Sequence, residues 1–95
     1  HAIDMGKKDY FSHISLDGRT PIDRYLRLCP VAWRAWGENI SAGREFGIDH
    51  FDAWLNSEGH RENLLSDKFK YLGVGAAYCE ESTYRYYFGQ TFITY

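Results

Sequence analysis

Residues 72–95, LGVGAAYCEESTYRYYFGQTFITY, decide the fold because their apolar positions follow a period of two. The first part alternates bulky and small residues, which predicts a β-strand. Polar residues 80–83 predict a turn. Aromatic side chains then lie on both faces of a second strand, so we expect it to be buried on both sides. The two strands form a predicted antiparallel hairpin, and Gly73 and Gly75 predict a close backbone approach to the first of them.

The residues before the hairpin follow the helical period instead. We predict the end of one helix over residues 1–12, a second helix from Pro21 to Cys29, a third from about Gly47 to Asn56, and a helical turn over residues 60–65. Thr20 is placed to cap the second helix, and Pro30 ends it. Residues 31–45 are less regular, with a short extended or turn-like segment between Gly37 and Gly43. Helices followed by a hairpin predict the α+β class.

The composition limits the kinds of protein that this chain can be. Its 95 residues predict one domain, and its aromatic content of 18% can build a core in so short a chain. With a net charge of -2, the basic surface that nucleic-acid binding requires is absent. No apolar run is long enough to span a membrane. Ala2, Ile3 and Met5 already follow a helical pattern, so we expect that the chain begins partway into its first helix.

The chain has two cysteines, Cys29 and Cys79. An even number permits one disulfide. The alternative is a pair of free thiols that pack as small apolar residues, and the sequence leaves both possibilities open. Neither cysteine has a neighbouring base or a metal-like spacing, so we do not expect either to be catalytic.

Three side chains stand out as candidates for chemistry: His13, Glu38 and His60. Imidazole and carboxylate groups together are typical of a zinc site or an acid–base pair. Their spacing is too long for a local motif, so only the fold can bring them together. The alternative is that the histidines are polar residues that fix loops through hydrogen bonds. His50 lies between two aspartates, and we predict that it occupies an exposed helix face.

Five groups of short motifs, in order, resemble the CAP superfamily, which includes cysteine-rich secretory proteins, venom allergens and plant pathogenesis-related proteins. The resemblance is to its bacterial, SCP-like branch and covers nearly the whole chain. The motifs are DM at 4–5 with YFSH at 10–13 and SLDGRTPIDR at 15–24, then GENI at 37–40, WLNSEGHRENLL at 54–65, LGVG at 72–75 and FGQTF at 88–92.

The resemblance implies an α-β-α sandwich with a cleft where His13, Glu38 and His60 converge. In the family, this cleft sometimes holds a divalent metal, often zinc, between the two histidines. Ser57 occupies the place of a second glutamate of eukaryotic members. Glu58 is adjacent, and whether it substitutes is open. The remaining cleft residue is Asn39, which we expect to fix a loop.

The family also has a longer first helix. We therefore expect residues 1–95 to form a single CAP domain that lacks the upstream part of this helix. Without that part, a domain of this kind would expose an apolar groove.

Three functions are compatible with this resemblance. The first, which we expect, is a secreted or cell-surface binding module that recognises a protein, glycan or lipid and has no turnover. The second is a hydrolase in which Zn²⁺, or another divalent cation, on His13 and His60 activates water while Glu38 acts as the general base. The third is a structural domain whose cleft has no function of its own.

Overall fold

A computed structural model describes the whole chain, residues 1–95, as four helices and a three-stranded antiparallel sheet. The elements in chain order are α1 (Ala2–Lys8), α2 (Pro21–Leu28), β1 (Ala35–Ala42), α3 (Gly47–Leu55), α4 (Glu58–Leu65), β2 (Tyr71–Tyr78) and β3 (Tyr86–Thr94). All four predicted helical segments are present, and β2 and β3 form the predicted hairpin. None of the four helices has the length and apolar character that a membrane span requires.

Helix α2 begins where the sequence predicts. The Thr20 hydroxyl accepts a hydrogen bond from the Asp23 amide at 3.3 Å, and the Asp23 carboxylate accepts one from the Thr20 amide at 2.9 Å. This reciprocal pair satisfies amides that the first turn of a helix leaves free. The hydrogen bond from the Thr20 amide to the carboxylate is the largest cause that lowers the pKa of Asp23. Pro21 occupies the first helical position and is buried, so this end of α2 is fixed to the rest of the protein.

Helix α1 is tied to the hairpin through Asp9, the residue at which it ends. Asp9 has a left-handed φ of 53°, and its carboxylate accepts hydrogen bonds from the Thr83 amide at 2.8 Å and the Thr83 hydroxyl at 2.9 Å. These bonds lower the pKa of Asp9. Because Thr83 lies between β2 and β3, the end of α1 and the hairpin turn are held together.

Strand β3 is the centre of the sheet, whose order is β1-β3-β2. Tyr87 and Ile93 are buried on one of its faces, and Gln90 and Phe92 on the other. The prediction that this strand is buried on both sides is therefore confirmed. Strand β1 corrects the prediction for residues 31–45, because eight residues there pair with β3 in place of a short extended or turn-like segment. Its sequence, AWGENISA, lacks an alternating pattern, so pairing with β3 decides its conformation.

Helices cover both faces of the sheet. Gly6 of α1 packs against Tyr87, and His50 of α3 stacks on Phe88 with ring centroids 3.9 Å apart. Tyr87 and Phe88 are successive residues of β3, so their side chains point to opposite faces. The two helices therefore lie in different layers, and the predicted α-β-α sandwich is confirmed.

Neighbouring atoms lie close to the backbone at Gly6 and Gly37, which are not the glycines that the sequence predicts. A Cβ added to Gly6 would lie 3.0 Å from the Cβ of Cys79, and one added to Gly37 would lie 3.0 Å from the Phe69 ring. Nothing lies within 4 Å of a Cβ at Gly73 or Gly75, so the prediction for these two residues is wrong. They belong to β2, an edge strand that is exposed at every position except Ala77.

Both cysteines are free thiols. Cys29 caps the C-terminal end of α2, whereas Cys79 follows β2 and packs against α1. Of the two possibilities that the sequence left open, the structure contains the pair of partly buried thiols.

Candidate functional site

An ion-paired cluster of three side chains forms the centre of the candidate site. Glu38 lies on β1, and its side chain is only 6% exposed. Its Oε1 lies 2.9 Å from Nδ1 of His13, and its Oε2 accepts a hydrogen bond from Nη2 of Arg24 at 2.6 Å. A carboxylate only accepts hydrogen bonds, so Nδ1 of His13 carries a proton, and in the neutral ring the lone pair lies on Nε2.

Arg24 organises the loop that carries His13. Its Nη1 donates to the His13 carbonyl oxygen at 2.8 Å, to the Ser15 hydroxyl at 3.0 Å and to the Arg19 carbonyl oxygen at 3.3 Å. The guanidinium therefore binds the main chain of the loop with one nitrogen and the carboxylate that orients His13 with the other. The planar fork of arginine suits this double role, which a lysine could not reproduce.

The function of Arg24 was missed at the level of sequence, where it was only one letter of a motif. Its position on the helix became informative only once the burial of α2 was known. Arg24 lies three residues after Pro21, on the same face of α2, and Pro21 is buried. A cation on the inward face of a helix requires a buried anionic partner. Glu38 is that partner, although 14 residues separate the two in sequence.

His60 lies at the start of α4 and is held in a similar way. Its Nδ1 is hydrogen-bonded to the Ser57 hydroxyl at 2.8 Å, which again leaves Nε2 free. Burial lowers the pKa of His60, and the nearby His13 lowers it further. His60 is therefore neutral at neutral pH. No hydrogen bond joins His60 to His13 or Glu38, and the effect of His13 on the pKa of His60 shows that the two imidazoles are near each other.

Asn39 fixes α4 to the sheet from the face opposite Glu38. It is fully buried, donates to the His60 carbonyl oxygen at 3.2 Å and accepts from Asn63 at 2.9 Å. Its side chain also donates to Gln90 at 3.3 Å. The network sets the position of the α4 turn that carries His60, which agrees with the loop-fixing role expected for Asn39.

Glu58 does not join this cluster. It is exposed and lines a separate surface depression with Leu55, Asn56 and Arg61. No hydrogen bond or ion pair connects it to the histidines or to Glu38. The structure thus brings together His13 and Glu38, places His60 and Ser57 nearby, and leaves Glu58 outside.

A groove of about 420 Å³ opens beside Glu38 on the face of the sheet that α1 and α2 share. Neither His13 nor His60 lines it, so Glu38 connects the groove to the histidine cluster. Its lining combines aromatic and aliphatic side chains with a carboxylate and hydroxyls, from Tyr25, Glu38, Tyr71, Val74, Thr91 and Ile93. His1 and Ala2, at the start of α1, also line it, so the groove lies beside the place where the upstream part of this helix is expected from the sequence.

The donor set fits a divalent metal in part. No three His, Cys, Asp or Glu side chains lie close enough together to surround a metal ion. His13 and His60 nevertheless each hold Nδ1 in a hydrogen bond and present Nε2 without a partner. A hydrogen bond on the other ring nitrogen is the usual support of a metal-binding histidine. The two imidazoles are therefore the candidate ligands, and they are fewer than the protein ligands that a zinc site usually has.

The structure corrects the prediction for His50, which was expected on an exposed helix face. His50 is fully buried. Its Nε2 donates to the Arg44 carbonyl oxygen at 2.6 Å, and its Nδ1 is paired with the Ser41 hydroxyl at 2.6 Å. Both ring nitrogens have partners, so His50 is a structural residue that fastens α3 and the preceding loop to the sheet.

The chain matches a known protein family and two curated bacterial proteins. The model of the cysteine-rich secretory protein family, CAP, matches residues 1–92. Uncharacterized protein YkwD of Bacillus subtilis is 39% identical over 72 residues, which are 76% of this chain and 28% of YkwD. Uncharacterized membrane protein YlbC of the same organism is 39% identical over 93 residues, which are 98% of this chain and 25% of YlbC. The chain thus spans about a quarter of the length of these relatives.

Two solved structures have the same fold. An extracellular protein containing an SCP domain from Bacillus anthracis matches with a TM-score of 0.81 and 40% identity, over 100% of this chain and 29% of that one. An outer surface protein from Borrelia burgdorferi matches with a TM-score of 0.83 and 25% identity, over 98% of this chain and 66% of that one. With the family match over residues 1–92, these likenesses show that the chain belongs to the cysteine-rich secretory protein (CAP) family, in its bacterial, SCP-like branch.

Proposed function

We propose that this chain is a secreted or cell-surface binding module in which the cleft formed by His13, Glu38 and His60 receives a protein, glycan or lipid partner. One observation carries the proposal. Both carboxylate oxygens of Glu38 have partners, Arg24 and His13, so Glu38 holds these two side chains in fixed positions. The His13 side chain is 50% exposed, and its Nε2 has no partner within the chain, so an ordered polar group is presented to a partner molecule.

The location rests on the solved relatives. One is described as an extracellular protein and the other as an outer surface protein. By likeness to them, we propose that this chain lies outside the cytoplasm, where its cleft meets partners in the medium or on a cell surface. The relative named as a membrane protein is compatible with a module attached to a membrane by other parts of a longer chain.

We further propose that His13 and His60 bind Zn²⁺ or another divalent cation through Nε2. Glu38 fixes the tautomer of His13, and Ser57 holds the ring orientation of His60. Because its pKa is lowered, His60 is in the neutral form that binds metals. When bound, the cation would supply a Lewis acid that attracts an oxygen or nitrogen atom of the partner.

Zinc-assisted hydrolysis is the second candidate, and the two unpartnered imidazole nitrogens are the observation that favours it. In this function Glu38 would be the base that deprotonates a bound water. The arrangement is less suited to it, since Glu38 would have to leave Arg24 or His13 to accept a proton. Glu58 lies in another depression and cannot replace it.

The experiment that tests the metal proposal is a zinc titration followed by calorimetry. We expect wild-type protein to bind one zinc ion per chain, and the His13→Ala, His60→Ala double variant to show no specific heat. Glu58→Ala, which changes a residue of the separate depression, is the matched control and should bind as wild type does. Absence of binding by the wild type, or equal binding by the double variant, would remove the metal from the proposal.

Hydrolysis assays with peptide and ester substrates separate the two candidates. The binding module predicts no turnover with or without zinc. Hydrolysis that a chelator abolishes and that disappears in Glu38→Gln would instead establish the enzyme and overturn the binding function.

A further inference from the structure

The two edges of the sheet differ in how their backbone groups are satisfied. The Gly43 amide donates to the Tyr86 carbonyl, so in the register of β1 with β3 the odd-numbered residues of β1 bond to β3. The even-numbered residues face outward. The outward carbonyls of Glu38 and Ile40 accept hydrogen bonds from the side chains of Asn63, at 3.2 Å, and Trp54, at 2.9 Å. Helices α3 and α4 therefore cover the β1 edge.

The opposite edge, β2, has no such cover. The Cys79 amide donates to the Arg85 carbonyl, and this pair continues the register of β2 with β3. The odd-numbered residues of β2 therefore form the backbone hydrogen bonds to β3. The outward-facing amides and carbonyls belong to Leu72, Val74, Ala76 and Tyr78, and no side chain or loop bonds to any of them. The side chain of Val74, at the middle of the strand, is 67% exposed.

The sequence of this edge also lacks the features that prevent strand pairing. Proteins protect exposed edges with charged side chains, proline, bulges or very short strands. Strand β2 has eight residues, YLGVGAAY, without a charge or a proline. An uncharged edge of this length with unpaired backbone groups is a template for another strand.

We propose that β2 pairs with β2 of a second copy of this chain, as an antiparallel, two-fold symmetric dimer with one continuous six-stranded sheet. The charges that flank the strand favour this occupant. Lys70 precedes β2 and Glu80 follows it, both are exposed, and neither forms an ion pair within the chain. A two-fold axis through Gly75 places Lys70 of each copy opposite Glu80 of the other.

The same axis satisfies the edge. It pairs Val74 with Ala76 of the second copy, and Leu72 with Tyr78 of the second copy, so that about eight hydrogen bonds form. Even-numbered residues of one copy lie opposite even-numbered residues of the other. The exposed side chains of Leu72, Val74 and Tyr78 therefore stay on one face of the joined sheet. An isologous contact of this kind closes at two copies and leaves no further β2 edge for polymerisation.

A cysteine pair tests the geometry directly. Gly75 meets its own copy at the axis as a non-hydrogen-bonded pair, with Cα atoms about 4.5 Å apart, within the range of about 4.4–6.8 Å that a disulfide spans. In a Cys29→Ser, Cys79→Ser background, we expect Gly75→Cys to give a covalent dimer on mild oxidation. Gly73→Cys is the matched control, because a Cβ is equally unobstructed there but lies off the axis.

The second measurement is the molar mass of the full chain in solution, determined by light scattering over a concentration series. We expect wild type to dimerise and Val74→Pro to dissociate at least about tenfold more readily, a loss of about 1.4 kcal/mol. The Val74 amide points outward, so proline removes no bond to β3. Lys70→Glu should weaken the dimer, and Lys70→Glu with Glu80→Lys should restore it.

Two results would overturn the proposal. In the first, the wild type is a monomer and Gly75→Cys cross-links no more than Gly73→Cys. The same result is expected if a strand of a different protein covers this edge. The other is a wild-type dimer that Val74→Pro leaves intact, which would place the interface elsewhere. If Val74→Pro fails to fold, the comparison of Gly75→Cys with Gly73→Cys still decides.

Discussion

Replacing Arg24 with methionine is expected to lower the free energy of unfolding by about 2–4 kcal/mol. The variant keeps most of the volume of the side chain but leaves the Glu38 carboxylate, only 6% exposed, without its cation. It also removes the hydrogen bonds to the carbonyls of His13 and Arg19. The estimate is below the upper range for a fully buried pair because Arg24 is 17% exposed. Chemical denaturation measures the change.

Arg19→Met is the matched control for Arg24→Met. Arg19 also forms an ion pair, with Asp17 at 2.8 Å, but both partners are exposed, so its loss should cost at most about 1 kcal/mol. Adding Glu38→Gln to Arg24→Met should recover part of the lost stability, because a neutral amide does not require a cation. Equal effects of the two arginine substitutions would show that Arg24 does not hold the cluster.

Replacing His50 with alanine is expected to destabilise the protein by about 2–4 kcal/mol. The imidazole is fully buried, stacks on Phe88 and satisfies the Ser41 hydroxyl and the Arg44 carbonyl. Alanine leaves a cavity beside Phe88 and two polar groups without partners. Thermal and denaturant unfolding both report the loss.

Two further substitutions divide the contribution of His50. His50→Phe keeps a ring against Phe88 but loses both hydrogen bonds, so its stability should lie between those of wild type and His50→Ala. Asp52→Ala changes an exposed side chain of the same helix and should alter stability by no more than about 0.5 kcal/mol. If His50→Ala lowered stability no more than Asp52→Ala does, His50 would not be the residue that holds α3 against the sheet.

The helices and the hairpin were predictable because their signals are local. Thr20, Pro21 and Asp23 contain the complete start of α2 within four residues. The alternation over residues 72–78 and the aromatic positions of β3 also depend only on near neighbours. Strand β1 was missed because its stability comes from pairing with β3, about 50 residues further along the chain.

The errors at His50 and at the β2 glycines have the same origin. The aspartates around His50 indicate an exposed face, but Phe88, which stacks on it, belongs to a strand far along the chain, and Ser41, on the preceding strand, reaches it only through the fold. Gly73 and Gly75 were expected to admit a neighbouring backbone, yet β2 lies at an edge where no element covers them. A sequence pattern predicts which residues share a face of a helix or strand, but it does not predict which other element packs against that face.

The candidate site was predictable in its residues but not in their roles. Family motifs identified His13, Glu38 and His60 before any contact was known. The partner of Glu38 was not identified, and Arg24 changes the interpretation of Glu38 from a candidate base to a support for His13. Such a role depends on two side chains that lie 14 positions apart in the sequence and that only the fold brings together.

The role of Glu38 is tested most directly by the tautomer of His13, read from nitrogen and carbon chemical shifts of the imidazole at a pH where the ring is neutral. If Glu38 orients His13, the proton lies on Nδ1 and is donated to Glu38, and Nε2 is unprotonated and available to a metal or a partner. We expect Arg24→Met to make this tautomer less dominant, because Glu38 is then free to move. A proton on Nε2 in the wild type would show that Glu38 is not the group that orients His13.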